Sequence, residues 1–340
     1  MNAQQTNTVV KKETKKKIRV EFERTSFWER FKIRFLSLFF LKKLVWWIFR
    51  LVLLIGVSYI ILFPFFSKVT SSFMSPEDFV DVTVKLIPKY PTLDTYKAII
   101  VEGHYFQILF NTACLSILCG VIQTLVCSIV GYGFAKFKFK GNKILFACVV
   151  LTMVVPQDTL RTAMYVFFRY FDIFGLFKLL GIGPFEMQNT YWPLALLSLG
   201  GLAFKNGLYI FMMRQFYRSV PDELEESAYV DGSGVMKTFF KIIVPLSVPM
   251  MITVFLFAFS WQWTDRFYTE VFFTDQSSIL LMPDLIFTPE SLDTSFAGGD
   301  LYVAAIRNTC GLLIILPLVI IYLFCQRFLI QGIERSGIVG

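Results

Sequence analysis

Charge is scarce in this chain: of 340 residues only 17% are Asp, Glu, Lys or Arg, against about a quarter in ordinary soluble domains. Histidine is scarcer still, with His104 alone. A lone histidine has no second histidine with which to share a metal ion, so a surface role is the simpler reading. The six cysteines, Cys114, Cys119, Cys127, Cys148, Cys310 and Cys325, form no CxxC pair and all fall inside apolar runs. They read as small apolar fillers rather than disulfide or metal ligands. There is no Gly-x4-Gly-Lys-Ser/Thr phosphate loop, no HExxH and no GxSxG. Those absences exclude an ATPase of its own and argue against a catalytic role, so neither a cofactor nor a metal is expected.

Apolar side chains are abundant. Hydrophobic residues make up 55% of the chain, phenylalanine alone occurs 39 times, and the mean hydropathy is +0.60. A soluble core has no room for that much apolar surface, but lipid does. The net charge of +8 would suit nucleic acid or a membrane surface. Its placement decides, because Lys11, Lys12, Lys15, Lys16, Lys17 and Arg19 lie shortly before the first apolar run. That is a cytoplasmic flank and not a nucleic-acid face. The first run starts near residue 44 and lasts about 23 residues, too long for the core of a cleavable signal.

About 20 apolar residues are needed to cross roughly 30 Å of hydrocarbon as a helix. Six stretches qualify, at about 44–67, 108–134, 144–168, 193–215, 249–272 and 303–327. Lys136, Lys138, Lys140 and Lys143 follow the second. Arg214, Arg218, Lys237 and Lys241 follow the fourth, and Arg327 and Arg335 close the chain. The alternate loops carry Glu77, Asp78, Asp81, Asp284, Glu290, Asp293 and Asp300. The expected fold is therefore an all-α integral membrane bundle of six transmembrane helices with both termini cytoplasmic. Residues 1–43 read as a basic tail ending in an amphipathic interfacial helix over 27–43, with Trp28, Phe31, Phe35 and Leu38 on one face. Trp46 and Trp47 suit the headgroup level, with Arg50 snorkelling back. Residues 44–105 hold the first span and an outer loop, 106–327 a core, and 328–340 a cytoplasmic tail. No internal repeat is evident, which argues against an ion-coupled carrier.

One polar insertion is patterned rather than merely connecting. Residues 214–249 read RQFYRSVPDELEESAYVDGSGVMKTFFKIIVPLSVP. Pro221 suits a first helical position, and Asp222, Glu223 and Glu225 a first turn. Gly232 and Gly234 interrupt the helix, and a second helical stretch runs to Pro245 and Pro249, which are expected to break it. This predicts a helix, a turn and a second helix beneath the membrane.

The run Glu226-Ser227-Ala228-x-x-Asp231-Gly232, with Ile243 and Pro245 beyond it, resembles the EAA motif of ABC importer permeases, in particular the carbohydrate-uptake, MalG-like subunits. NTACLSIL at the start of the second span, GYGFAKFKFKGNK after it and the closing QRFLIQGIERSGIVG are similar too, so the likeness covers roughly 106–340. Ser227 replaces the usual Ala, and Gly234-Val235 the frequent polar-Pro pair. The resemblance implies a non-catalytic permease subunit whose coupling loop, 216–248, docks on a separate ATPase through Glu226, Ser227, Ala228, Asp231, Gly232 and Pro245. Small residues at 227 and 228 would admit a partner surface, and Glu226 would accept from its Arg or Lys. It also implies two ATPase subunits, a second and different permease subunit, an extracytoplasmic solute-binding protein and a sugar or oligosaccharide substrate. The alternatives are another solute class, such as polyamine, phosphate or amino acid, or an autonomous channel or carrier.

Polar residues at membrane depth mark candidate path positions. Asp158 lies about 21 Å along the third span, just after Pro156, which is expected to kink or break the helix there, and shares a face with Arg161. The two read either as an ion bridge holding a kink or as a polar lining. Trp261, Gln262 and Asp265 in the fifth span combine an indole face for sugar C–H groups with hydroxyl-binding side chains. The competing reading is an aromatic belt that includes Trp263 and Tyr268. Asn206 and Lys205, and Arg307 and Asn308, are candidates that interhelical bonding would explain equally well.

Overall fold

The computed structural model describes residues 38–173, 175–203, 205–275 and 279–337, with side chains from 42 to 330 within those limits. Most of the expected interfacial helix therefore lies outside the described residues. Leu38 to Lys43 belong to the first helix itself. The chain divides into two compact units, Met1–Phe65 and Phe66–Gly340. Helix α1 (Leu38–Ser71) crosses from the first unit into the second. Its 34 residues are about 51 Å long, and apolar residues such as Val52, Ile60 and Phe65 stay exposed.

Among the described residues the regular secondary structure of the second unit is helical, with one isolated bridge between Phe171 and Phe185. Short helices α2 (Pro76–Val80) and α3 (Asp94–Glu102) precede α4 (Tyr105–Lys136), which packs against α8 (Trp192–Leu199), α9 (Asn206–Ser219) and α12 (Val244–Trp263). Between them come α5 (Asn142–Thr152), α6 (Arg161–Arg169), α7 (Leu176–Leu179), α10 (Glu223–Val230) and α11 (Val235–Thr238). Helices α13 (Phe267–Phe272) and α14 (Gly299–Gly337) complete the chain, and α12 also packs on α14.

The expected six spans do not all appear as continuous helices among the described residues. Four helical stretches of the described residues are long and apolar enough to cross unaided: Lys42–Ser71, Tyr105–Lys136, Val235–Trp263 and Gly299–Ile330. A fifth is counted only if Asn142–Thr152 and Gln157–Arg169 are taken together across a 94° bend. Pro156 lies at that bend, extended in its backbone and with no N–H to give to a carbonyl of the preceding turn. The expected fourth span is two short helices, because Gly201 takes a left-handed φ of 69° after α8. Leu202 N–H then reaches Leu197 C=O at 2.9 Å, and Gly201 N–H reaches Ser198 C=O at 3.3 Å. This pair of bonds is the Schellman ending of a helix. The fifth span ends at Trp263, earlier than expected. Pro245 and Pro249 do not break it. A π turn, Phe239–Ile243, precedes Pro245, and α11 runs through it into α12. The extra residue in such a turn accommodates the lost hydrogen bond. At the chain's end α14 continues through most of the segment expected to be a tail.

Prolines in long helices leave carbonyls to be satisfied. Pro317 removes the donor that Leu313 C=O would use within α14, and the Tyr105 hydroxyl donates to that carbonyl at 3.2 Å. One residue on, Trp263 Nε1–H donates to Ile314 C=O at 2.9 Å. Trp263 and Tyr268 are 2% and 1% exposed, so neither belongs to an outer aromatic belt. Across the bundle, Tyr217 of α9 bonds Ser128 of α4 at 2.6 Å and Ser247 of α12 at 3.2 Å.

Helices α4 and α9 approach closely at Gly131. A Cβ there would lie 2.7 Å from Met213 Cβ and 3.0 Å from Arg214 N, whereas one on Gly133 meets nothing within 4 Å. Gly131→Ala should therefore destabilise by about 1–3 kcal/mol through overpacking. Gly133→Ala should be neutral or stabilise by roughly 0.5–1 kcal/mol, as Ala does over Gly in a helix. Thermal unfolding of the two variants in detergent checks the contrast. Equal midpoints would remove Gly131 as the contact that sets this crossing.

Candidate functional site

Two polar features stand apart from the apolar bundle. The first is the loop between α9 and α12. Helix α10 starts two residues later than Pro221 suggests, with Asp222 as its N-cap and Glu223, Glu225 and Glu226 in its first turn. Carboxylates there complement the partial positive charge of the unpaired N–H groups. The helix closes on Gly232, whose φ is 78°. Ser233 N–H bonds Ala228 C=O at 2.9 Å and Gly232 N–H bonds Tyr229 C=O at 3.0 Å, a second Schellman ending. A Cβ on Gly232 would meet nothing, so the glycine is required by backbone conformation rather than by space.

The eight residues of α10 present two faces. Ala228 and Glu225 are turned inward, at 5% and 7% exposure. The expectation that Ala228 offers a small outer surface is thus corrected: it packs within its own chain, and Ser227 is the small outward residue. Glu226, Ser227, Asp231, Gly232 and Pro245 are all exposed or partly so. Leu224, Tyr229 and Val230 join them, with Val230 87% exposed.

The second feature is a cavity of about 760 Å³ at the two helix breaks. Its walls come from Thr152 to Asp158 after α5, from Gly201 to Ala203 and Lys205 to Leu208 around the start of α9, and from Trp261 and Tyr268. Of the residues expected in a path, Asp158, Asn206 and Trp261 are brought together here. Asn206 is 1% exposed, and among the described residues neither of its amide atoms has a hydrogen-bond partner. Lys205 takes a left-handed φ of 62°, and its ammonium lies 5.2 Å from the centre of the Trp261 ring.

The other expected path residues lie elsewhere. Gln262 and Asp265 are buried outside the cavity wall, and an Asp265 carboxylate oxygen accepts from Tyr268 N–H at 3.0 Å. Arg161 pairs mainly with Glu270, at 3.0 Å, and stands 3.9 Å from Asp158. The Asp158–Arg161 bridge is therefore the weaker of its two contacts, and both groups are solvent-facing. Glu270 carries no signal in a sequence that reads α13 as part of a long span, and Tyr268, expected in an aromatic belt, lines the cavity instead. Pro156 lies at the bend in the third span, as expected, and Gly200-Gly201 is the signal for the break in the fourth. Among the described residues no group of three His, Cys, Asp or Glu side chains could hold a metal ion.

The profile of the binding-protein-dependent transport system inner membrane components matches residues 107–335. The chain belongs to that family. It is a multi-pass permease of the bacterial plasma membrane. It is 29% identical over 301 residues to the galactooligosaccharides transport system permease protein GanQ of Bacillus subtilis (strain 168), covering 86% of this chain and 95% of that one. It is 25% identical over 249 residues to the maltodextrin transport system permease protein MdxG of the same organism, covering 73% and 81%. A solved bacterial ABC transporter involved in import of the acidic polysaccharide alginate shares the fold, with a TM-score of 0.63, 18% identity and coverage of 84% and 97%.

In the permease, burial raises the Glu225 carboxyl above the usual glutamate range, with Lys136 pulling the other way. A raised carboxyl favours the folded loop when protonated. Its contribution is full below the ordinary glutamate value, about pH 4, and is lost as pH rises through the elevated value. Glu225→Gln should therefore flatten the dependence of the thermal midpoint on pH from 4 upward. Superimposable profiles for the two proteins would mean that the burial of Glu225 has no energetic consequence.

Proposed function

We propose that this permease carries a sugar or oligosaccharide inward through an ATP-driven importer, with α10 as the helix that docks on a separate ATPase. Orientation follows the charge pattern: both termini, the Lys136–Lys143 loop and α10 face the cytoplasm. The observation that carries the coupling role is the outward face of α10. An acidic and apolar surface of Leu224, Glu226, Ser227, Tyr229 and Val230 is held by well-formed turns, yet no described residue covers it. Glu226 offers an acceptor to a cationic partner group, and Val230 an apolar knob. Asp231 and Gly232 set where the helix stops, and Pro245, with the π turn before it, leads into α12.

The importer would comprise this chain, a second and different permease subunit, two ATPase subunits and an extracytoplasmic solute-binding protein. Sugar as the cargo is supported by the galactooligosaccharide and maltodextrin names of relatives that align over most of their length. The cavity suits such a cargo: Trp261 offers a ring face, and Asn206, Gln157 and Asp158 offer hydrogen-bonding groups. Discontinuous helices at a cavity are the usual way for irregular backbone to exist at membrane depth.

A cysteine at Val230 should crosslink to the ATPase subunit in the assembled complex, and its failure to do so would overturn the docking role. Gly232→Pro, which cannot reach a φ of 78°, should abolish uptake with membrane insertion intact. Trp261→Ala should lower oligosaccharide uptake about 10-fold, equivalent to about 1.4 kcal/mol. Unchanged uptake would remove Trp261 from the path.

A further inference from the structure

Lys136 looks, in sequence, like one of four lysines marking a cytoplasmic loop. Its surroundings set it apart. Lys138 and Lys140 are exposed, whereas the Lys136 side chain is only 7% exposed. Its ammonium donates to Val220 C=O at 2.8 Å and to the Asp222 carboxylate at 2.6 Å. The Glu225 carboxylate lies 4.0 Å away.

Three helix ends meet at this one ammonium. Lys136 is the last residue of α4, and Val220 caps the C-terminus of α9. Both ends carry partial negative charge from carbonyls without intrahelical donors. The third end is the acidic first turn of α10. A cation is favoured by the two C-terminal ends, and at the third by the Asp222 and Glu225 carboxyls and not by the helix end itself, whereas a neutral side chain of similar length would be favoured by none. One turn back along α4, Tyr132 is also buried and meets the far side of the same loop. Its ring centre is 4.6 Å from that of Phe239 in the π turn and 5.6 Å from that of Tyr217 in α9. The last turn of α4 therefore grips the loop twice, through Lys136 before α10 and through Tyr132 after it. The hydrogen bond to Lys136 also holds the Asp222 carboxyl below its usual range.

We propose that Lys136 is a positioning residue of the coupling apparatus, tying α10 to α4 and α9 so that displacement of α10 moves those helices and the cavity wall they carry. The tie rests on the reading of α10 as the ATPase-docking helix. Without the ammonium, α10 could shift on its flanking connections while α4 stayed in place. The substitution Lys136→Arg would keep a charge and at least two donors within reach, whereas Lys136→Met would keep only the apolar stem.

The test uses the assembled importer in proteoliposomes and needs no knowledge of the solute. Asp158, whose side chain is 85% exposed at the cavity, is replaced by cysteine. Its labelling by a membrane-impermeant maleimide is then followed with and without ATP and vanadate, relative to the chain that retains Asp158. With Lys136 present, nucleotide trapping should change the labelling rate at least about 5-fold, in the range of ordinary coupling between sites. In Lys136→Met the change should fall below about 1.5-fold, close to no coupling, while ATP is still hydrolysed, and Lys136→Arg should restore it. Lys136→Met combined with Glu225→Gln removes the tie without leaving a buried carboxylate beside an apolar side chain, and it should behave as Lys136→Met does. A full labelling change in that double variant would overturn the proposal. If labelling fails to respond to nucleotide even with Lys136 while Val230→Cys still crosslinks to the ATPase, docking stands and the tie falls. If the crosslink also fails, the docking reading falls and takes the tie with it.

Discussion

A backbone carbonyl freed inside an apolar medium must find a donor, and this requirement shapes the bundle more than any single apolar contact. An unsatisfied group there costs several kcal/mol. The chain nevertheless interrupts its helices or their hydrogen bonding at Pro156, at Gly200-Gly201, at Pro245 and at Pro317. Three of these are answered locally. The Gly201 ending recovers two bonds within the turn, the π turn absorbs Pro245, and Tyr105 supplies the donor that Pro317 removes. Aromatic side chains with a polar tip suit the last case because the ring stays in the apolar core while the hydroxyl reaches a carbonyl.

That requirement also explains why the cavity lies where it does. Irregular backbone at membrane depth persists where protein or water covers it. The stretches at 153–156 and 201–203, with Lys205, line the same space, with Trp261 beside them, so the two breaks share one cavity instead of each facing lipid. Asn206 opens α9 at this point with an amide that no described residue satisfies. A buried amide of that kind is expensive in a sealed core and useful beside a space that admits polar groups.

Much of this was legible from residue patterns. The positions of α1, α4 and α14 follow from hydropathy alone, since uninterrupted apolar helices leave little else for such segments to do. The acidic start of α10 and its stop at Gly232 follow from capping chemistry. The broken spans were less legible, because apolar content measures preference for lipid and is blind to helix continuity. Pro156 does announce the break in the third span and Gly200-Gly201 marks one in the fourth that hydropathy passes over, but Pro245, Pro249 and Pro317 sit inside continuous helices and show that proline alone does not decide. Which face of α10 is covered depends on where α4 ends, a tertiary fact, so Ala228 could not be assigned inward from periodicity. Lys136 was hidden for the same reason: a charge rule counts lysines, and only packing separates the buried one from its exposed neighbours.

The two polar features are joined by one short rigid element. Helix α9 spans 14 residues, about 21 Å. Asn206 at its first position lines the cavity, and Val220 just past its last accepts from Lys136. Along its length it is locked to α4 by the close approach at Gly131 and to both α4 and α12 through Tyr217. Packed helices of this kind resist continuous deformation, so a displacement imposed at one end is carried to the other instead of being absorbed between. A longer, unbroken fourth span would have buried the same apolar surface. The break at Gly200-Gly201 instead leaves α9 as a separate rod with one end at the cavity and the other at the loop, which is the arrangement a mechanical link between the two requires.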